Sequence, residues 1–475
     1  MQKTHPYTRA NALFAPHIRL EDGWHRNALL AWDEHGALTE ISTGVDPAQQ
    51  AKARAVPHAA GPVIAGMPNL HSHAFQSAMA GLTEYRAQAA DSFWSWRDLM
   101  YRFAARISPD TIAAIAHWLY IDMLKAGYTA VCEFHYVHHQ LDGTPYAQNA
   151  EMARRVTDAA QQSGIGLTML PVLYQYSNFG AQAPRDDQRR FLNSPEQLLA
   201  LLDQLRSTHP ESNQRRYGVA PHSLRAVSAD SLHRLLNGLD RDFPGAPVHI
   251  HIAEQTAEVD ACLAMHGTRP VQWLLDHAPV DGRWCLVHAT HMDEAEIQGA
   301  ARSGAVAGPC LTTEANLGDG IFPSVEFLAA GGRFGIGSDS HISVDWRAEL
   351  RLLEYGQRLW RRERNVLASP DQPIVAERLF DAALAGGAQA SARRIGRLAP
   401  GCQADFLVLD ADHPQMAEQP VNAWLSGLVF TERGSSPIRD VYVGGRQVIR
   451  DGRHADEEAV FARYRRALSE LLKQE

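Results

Sequence analysis

Four short stretches, His71-Ser-His73, His249-Ile-His251-Ile-Ala-Glu254, Leu286-Val-His288-Ala-Thr-His291 and Gly337-Ser-Asp339-Ser-His341, carry metal-ligand side chains at the ends of apolar runs. They are spread over most of the chain, so only a fold that gathers several strand ends at one point can use them together. Side chains alternate along a strand, which turns His71 and His73 to one face and does the same for His249 and His251. The run Arg333-Phe-Gly-Ile-Gly-Ser-Asp339 adds a carboxylate at the end of another apolar segment. A lone His-x-His pair says little, but the set points to a hydrolase built around a metal ion. Zn²⁺ accepts imidazole nitrogen and carboxylate oxygen, and its catalytic sites keep a position open for water.

From His71 to about Gly396 short β-type runs alternate with helical patterns. Strands are predicted at 129–134, 166–173, 217–220, 248–253, 284–288 and 333–337, and helices at 109–126, 150–163, 195–207, 228–239 and 270–277. Repeated βα units imply a parallel sheet. A closed (β/α)₈ TIM-type barrel is preferred over an open doubly wound sheet, because its C-terminal mouth lets ligands from several strands converge. The two ends of the chain read as β hairpins. Residues 1–63 plus 400–455 are therefore expected to form a small β-sandwich domain, with the barrel at 64–399. An amphipathic helix is expected over 456–475, docking Val460, Phe461, Tyr464, Leu468 and Leu471 on its own protein.

The 475 residues are 45% hydrophobic and 21% charged, ordinary values for a globular enzyme. A formal net charge of −9 argues against nucleic-acid binding and requires any anionic substrate to be held by a local group of arginines. No apolar run is long enough to cross a membrane, and the first residues lack the apolar centre of a secretory signal, so a cytoplasmic location is expected. Cys132, Cys262, Cys285, Cys310 and Cys402 stand apart from one another and read as small buried hydrophobes. Lysine occurs only at Lys3, Lys52, Lys125 and Lys473. Lys125 falls in a helical pattern and not at a strand end, which favours one metal over a lysine-bridged pair, with Glu133 left open as a bridge.

Together Pro68-Asn-Leu-His-Ser-His73, His249-Ile-His-Ile-Ala-Glu254, Val287-His288-Ala-Thr-His and Gly337-Ser-Asp339-Ser-His341 resemble the amidohydrolase superfamily. The segment Gly396-Arg-Leu-Ala-Pro-Gly-Cys-Gln-Ala-Asp405-Phe is similar to that superfamily's return into its small β domain. The His-x-His-x-x-Glu form resembles the aminohydrolase branch. That resemblance implies His71, His73, His251 and Asp339 as ligands of one divalent ion, Zn²⁺ first, with Fe²⁺ or Mn²⁺ open. It implies Glu254, His288 and Asp339 as the catalytic set. His249 then becomes a packing residue, and His291, His341, His135, His138 and His139 become polar loop residues.

Within the branch, His71-Ser-His-Ala-Phe-Gln76, Phe93-Trp-Ser-Trp-Arg97, Glu133-Phe-His-Tyr136, Pro221-His222-Ser-Leu-Arg225 and His251-Ile-Ala-Glu-Gln255 resemble the family of formimidoylglutamate deiminases, which serve histidine degradation. The resemblance implies that Gln76, Arg97, Tyr136, His222 and Arg225 contact a small substrate with two carboxylates, and that the protein is a homodimer. Guanidinium groups suit that substrate because they bind carboxylates bidentately and stay charged. Ordinary structural ion pairs are the alternative for Arg97 and Arg225. A deaminase of a heterocycle such as guanine, S-adenosylhomocysteine or a triazine would share every metal residue. A non-catalytic scaffold would lack both stoichiometric metal and ammonia release.

Overall fold

The computed structural model describes residues 11–46, 56–84 and 93–473, and for 93–95 the backbone alone. Residues 1–10, expected above to lack a signal's apolar centre, and the outermost residues of the proposed terminal domains lie outside the described residues.

Strands Met67–Ser72, Tyr128–His135, Gly166–Leu173 and Arg215–Tyr217 run parallel as neighbours, and Ala220–Pro221 continues the last of them beside Gly166–Leu173. Strands Val248–Ile252, Trp284–His288, Val306–Gly308 and Arg333–Phe334 form a second parallel run. Parallel bridges join the runs at both seams, Val219 to Val248 and Ser223 to His251 at one, Asn69 to Ile336 and Ser72 to Asp339 at the other. The seams carry backbone hydrogen bonds such as His251 N–H to His222 O at 3.1 Å and Leu70 N–H to Ile336 O at 2.9 Å. The result is a ring of parallel strands alternating with helices, as the βα pattern requires. Strands buried on both faces need nearly continuous apolar sequence, which is why Gly166-Leu-Thr-Met-Leu-Pro-Val-Leu173 is buried throughout.

Three strands differ from expectation, the eighth because the run expected at 333–337 is a strand only over Arg333–Phe334. The fourth is split at Gly218, where a Cβ would lie 2.3 Å from the Pro247 carbonyl oxygen, so the backbones of neighbouring strands approach too closely for any side chain. The seventh, Val306–Gly308, is only three residues long. Pro309 ends it, leaving too little sequence for a period to be read.

Helix Pro109–Ala126 follows its sequence signals. Ser108 caps it by accepting the Thr111 N–H at 3.1 Å, Pro109 opens it, and Gly127 closes it in the left-handed conformation at φ 93°. The C-terminal helix Glu457–Leu472 lies against it, with Trp118 and Phe461 rings 4.6 Å apart and Lys125 paired to Glu457 at 2.5 Å. Lys125 is thus used to hold two helices together, away from the strand ends.

Both ends of the chain contribute to one eight-stranded sheet. Its order is Arg453–His454, Arg446–Arg450, Ile438–Val443, Phe406–Leu409, Val63–Ala65, Ala12–Leu20, Gly23–Trp32 and Leu38–Ser42. Val63–Ala65 is the join, parallel to the N-terminal strand and antiparallel to Phe406–Leu409. No helix among the described residues is long and apolar enough to cross a membrane. All five cysteines are free and buried.

Gly386 tests how tightly the last barrel strand is held. In an open helix, alanine would be favoured over glycine by about 1 kcal/mol. Here a Cβ would lie 1.9 Å from the Phe334 carbonyl oxygen and 2.7 Å from the Gly335 nitrogen. Gly386→Ala is therefore expected to destabilise by about 1–3 kcal/mol, read as a lower denaturant midpoint at unchanged slope. An unchanged midpoint would mean that helix Val375–Ala390 can lift off the strand at no cost.

Candidate active site

The ends of the first, fifth and eighth barrel strands bring His71, His73, His251 and Asp339 together, all buried. The Nε2 atoms of His71, His73 and His251 form a triangle with sides of 3.1, 3.3 and 3.1 Å. Asp339 Oδ1 lies 3.5 Å from His71 Nε2 and 3.3 Å from His73 Nε2. His73 Nδ1 donates to the Phe134 carbonyl at 2.9 Å and His251 Nδ1 to the His222 carbonyl at 3.1 Å. Those bonds place the ring proton of each on Nδ1 and leave a lone pair on Nε2. Burial keeps the three imidazoles neutral, with His71 pushed down to about 3. Lone pairs facing one another in a buried cluster repel unless a cation lies among them. Nitrogens about 2.0–2.1 Å from one tetrahedral ion stand roughly 3.4 Å apart, close to the observed triangle. The donor set therefore fits a divalent metal.

Left-handed backbone is concentrated here. Ala253, His288, Ala289, Asp339 and His341 have φ of 52°, 66°, 51°, 46° and 62°. Each such residue costs about 1–2 kcal/mol without glycine's freedom, and that strain turns the chain sharply at the strand ends. The turn at Ala253 carries Glu254 past the end of Val248–Ile252. Its Oε1 lies 3.6 Å from His288 Nε2. Behind it, Glu314 Oε1 receives His288 Nδ1 at 3.2 Å and the Cys310 N–H at 2.8 Å. Burial pushes Glu254 up to about 7. Burial would depress His288, but Glu254, Glu314 and Asp339 more than offset it and push the imidazole up to about 10. Glu254 is thus poised near neutrality, where a group can both take and return a proton.

A single cavity opens from these residues. Gln76, Arg97, Tyr136, His222 and Arg225 all line it, together with His73, His251, Glu254, His288 and Asp339. Gln76 Nε2 donates to the Tyr136 hydroxyl at 2.8 Å, while its Oε1 is buried with no partner among the described residues. Tyr101, Tyr174, Trp96, Met100 and Leu317 complete the lining. Trp96 belongs to the Phe93-to-Arg97 motif, whereas Tyr101, Tyr174, Met100 and Leu317, and Glu314 behind His288, were not singled out from sequence. They come from helices and loops whose local pattern resembles any other amphipathic stretch.

Other histidines and carboxylates have structural partners. His249 Nε2 bonds the Ala390 carbonyl at 2.9 Å, in keeping with a packing role. Of His135, His138, His139, His291 and His341, expected as polar loop residues, His135 differs by ending strand Tyr128–His135, and the other four lie outside helices and strands. His135, His138 and His341 are buried. His138, His139 and His291 each bond a backbone carbonyl through Nε2, on Val172, Leu192 and Asp319 respectively. His341 bridges Ser72 and Ser338 at 3.2 and 3.0 Å. Glu133, left open as a metal bridge, accepts from Ser72 Oγ at 2.6 Å, Ala74 N–H at 2.7 Å and Tyr120 Oη at 3.1 Å, and burial pushes it up to about 7. It supports the first strand end instead.

The amidohydrolase family model matches residues 63–448. A formimidoylglutamate deiminase of Pseudomonas aeruginosa is 53% identical over 462 residues, covering 97% of this chain and 100% of the relative. The crystal structure of an amidohydrolase from Brucella melitensis superposes with a TM-score of 0.88 at 46% identity, covering 97% of this chain and 100% of that one. An adenosine deaminase from Xanthomonas campestris with bound zinc shares the fold at a TM-score of 0.79 and 20% identity, covering 97% and 98%.

Proposed function

The chain belongs to the amidohydrolase family, and from that premise we propose that it converts N-formimidoyl-L-glutamate and water to N-formyl-L-glutamate and ammonia. One observation carries this reading: Arg97 and Arg225 line the same cavity as Glu254, His288 and Asp339, so a doubly carboxylated tail and a hydrolysable head can be held at once. The deiminase similarity over nearly the whole chain supports it.

His71, His73, His251 and Asp339 would hold one divalent ion, Zn²⁺ before Fe²⁺ or Mn²⁺. When bound, such an ion polarises its ligands and lowers the pKa of a coordinated water from 15.7 to about 7. Glu254 takes a proton from the attacking water and delivers it to the imino nitrogen. His288, held between Glu254 and Glu314, donates towards the oxygen that gains negative charge. Asp339 steers the water. Gln76 Oε1 offers an acceptor for a substrate N–H. The C–O bond forms as the C=N double bond becomes single, and the C–N bond then breaks as Glu254 relays the hydroxyl proton to nitrogen and the carbonyl forms, so both water protons leave on ammonia. Arg97, Arg225, Tyr136 and His222 orient the remainder of the substrate.

A substrate panel tests the reading. Ammonia is expected from N-formimidoyl-L-glutamate and not from guanine, cytosine or S-adenosylhomocysteine, and the reverse result would make the enzyme a heterocycle deaminase. Arg97→Ala and Arg225→Ala are each expected to raise KM about tenfold or more, since a charge-assisted hydrogen bond contributes about 1.5–3 kcal/mol. Unchanged kinetics in both would remove the carboxylate clamp. The reading also carries a cytoplasmic homodimer in histidine degradation, which sedimentation and growth of a deletion strain on histidine would test.

A further inference from the structure

Tyr101 and Tyr174 belong to none of the metal or arginine motifs, yet both line the substrate cavity and are 3% and 2% exposed. Their hydroxyl oxygens lie 3.3 Å apart. The fully buried Gln188 side chain joins them. Its Oε1 accepts the Arg185 backbone N–H at 2.8 Å, which fixes the amide's orientation and turns its NH₂ end to the tyrosines. Nε2 donates to Tyr101 Oη at 3.1 Å and to Tyr174 Oη at 2.9 Å.

Proton counting then constrains the pair. An amide nitrogen has two N–H donors and a phenol has a single O–H. Both amide protons are spent on the two phenol oxygens. Only one phenolic proton can bridge the gap between the hydroxyls, and among the described residues the other has no acceptor. Burial holds the Tyr174 phenol well above its ordinary range, helped by Tyr101 and opposed by Arg225 and Arg97, so it keeps its proton. The Arg97 guanidinium lies 5.5 Å from the Tyr101 ring centroid. The pair also sits away from the metal-type cluster. The Tyr174 ring is 4.7 Å from His222, which is in turn 4.9 Å from His251.

We propose that Tyr101 and Tyr174, polarised by Gln188, are specificity-determining residues whose hydroxyls, once the 3.3 Å bridge between them opens on binding, both donate hydrogen bonds to the substrate carboxylate drawn in by Arg97 and Arg225. The inference rests on the deiminase reading and deepens it. A site offering only donors selects carboxylate over carboxamide, because an amide NH₂ would face other donors and stay unpaired.

The test is calorimetric binding of glutarate, and of glutaramate as the carboxamide control, to the metal-loaded protein and to its Tyr101→Phe and Tyr174→Phe variants. Each variant is expected to bind glutarate about tenfold or more weakly at unchanged Tm and to lose its preference over glutaramate. Wild-type affinity in a folded variant would overturn the assignment of that tyrosine. The variants are independent, so misfolding of one leaves the other to decide. Absence of glutarate binding by the unaltered protein would overturn the proposal outright. Ammonia release from N-formimidoyl-L-glutamate would then show separately whether the deiminase reading survives.

Discussion

Replacing Glu254 by glutamine is expected to lower kcat/KM for ammonia release by roughly 10²–10⁴-fold while leaving bound metal at the level of the unaltered protein. Glutamine keeps the volume and can still hydrogen-bond, but it cannot carry a proton from water to the departing nitrogen. Glu254 lies outside the group of His71, His73, His251 and Asp339, so metal content should not follow the loss of activity. Its backbone is held independently, by the left-handed Ala253 before it and by its own N–H donating to Glu258 Oε2 at 3.2 Å. Burial already disfavours the charged carboxylate, so a neutral amide should cost the fold little. Turnover within a few-fold of the unaltered protein, at full metal occupancy, would place Glu254 outside the chemistry.

Removal of the metal should have the other large effect. Exhaustive chelation is expected to bring ammonia release to the blank rate, and one equivalent of Zn²⁺ should restore it. Stability should move in the same direction, because an ion that binds only the native state adds about 2.7 kcal/mol when its free concentration is a hundredfold above Kd. Tm should therefore fall on chelation and recover on reloading. The Nε2 triangle makes the sign clear, since without a cation the lone pairs of His73 and His251 face each other beside His71 in a buried space. His251→Ala should remove one corner and with it stoichiometric binding. Undiminished turnover in protein shown by mass spectrometry to hold no metal would reject the whole site.

The features legible in the chain are those produced by short-range rules. Helix Pro109–Ala126 was readable because its cap, opening proline and closing glycine are local. The placement of Glu254 beyond its strand could be anticipated because it breaks the alternation shared by His249 and His251. Other features depend on groups that meet only after the barrel closes. Lys125 finds Glu457, 332 residues away, and Gln188 reaches Tyr101 across 87 residues. No local pattern marks Glu314 as the support of His288, or Glu133 as an internal acceptor in place of a ligand. The sequence by itself determined the alternation of strands and helices and the residues carried at the strand ends, because periodicity and capping act over a few positions. Which donors share a cavity, and which buried polar atom receives which proton, was decided only by the tertiary structure, because those pairings require chain segments hundreds of residues apart to shed water against one another.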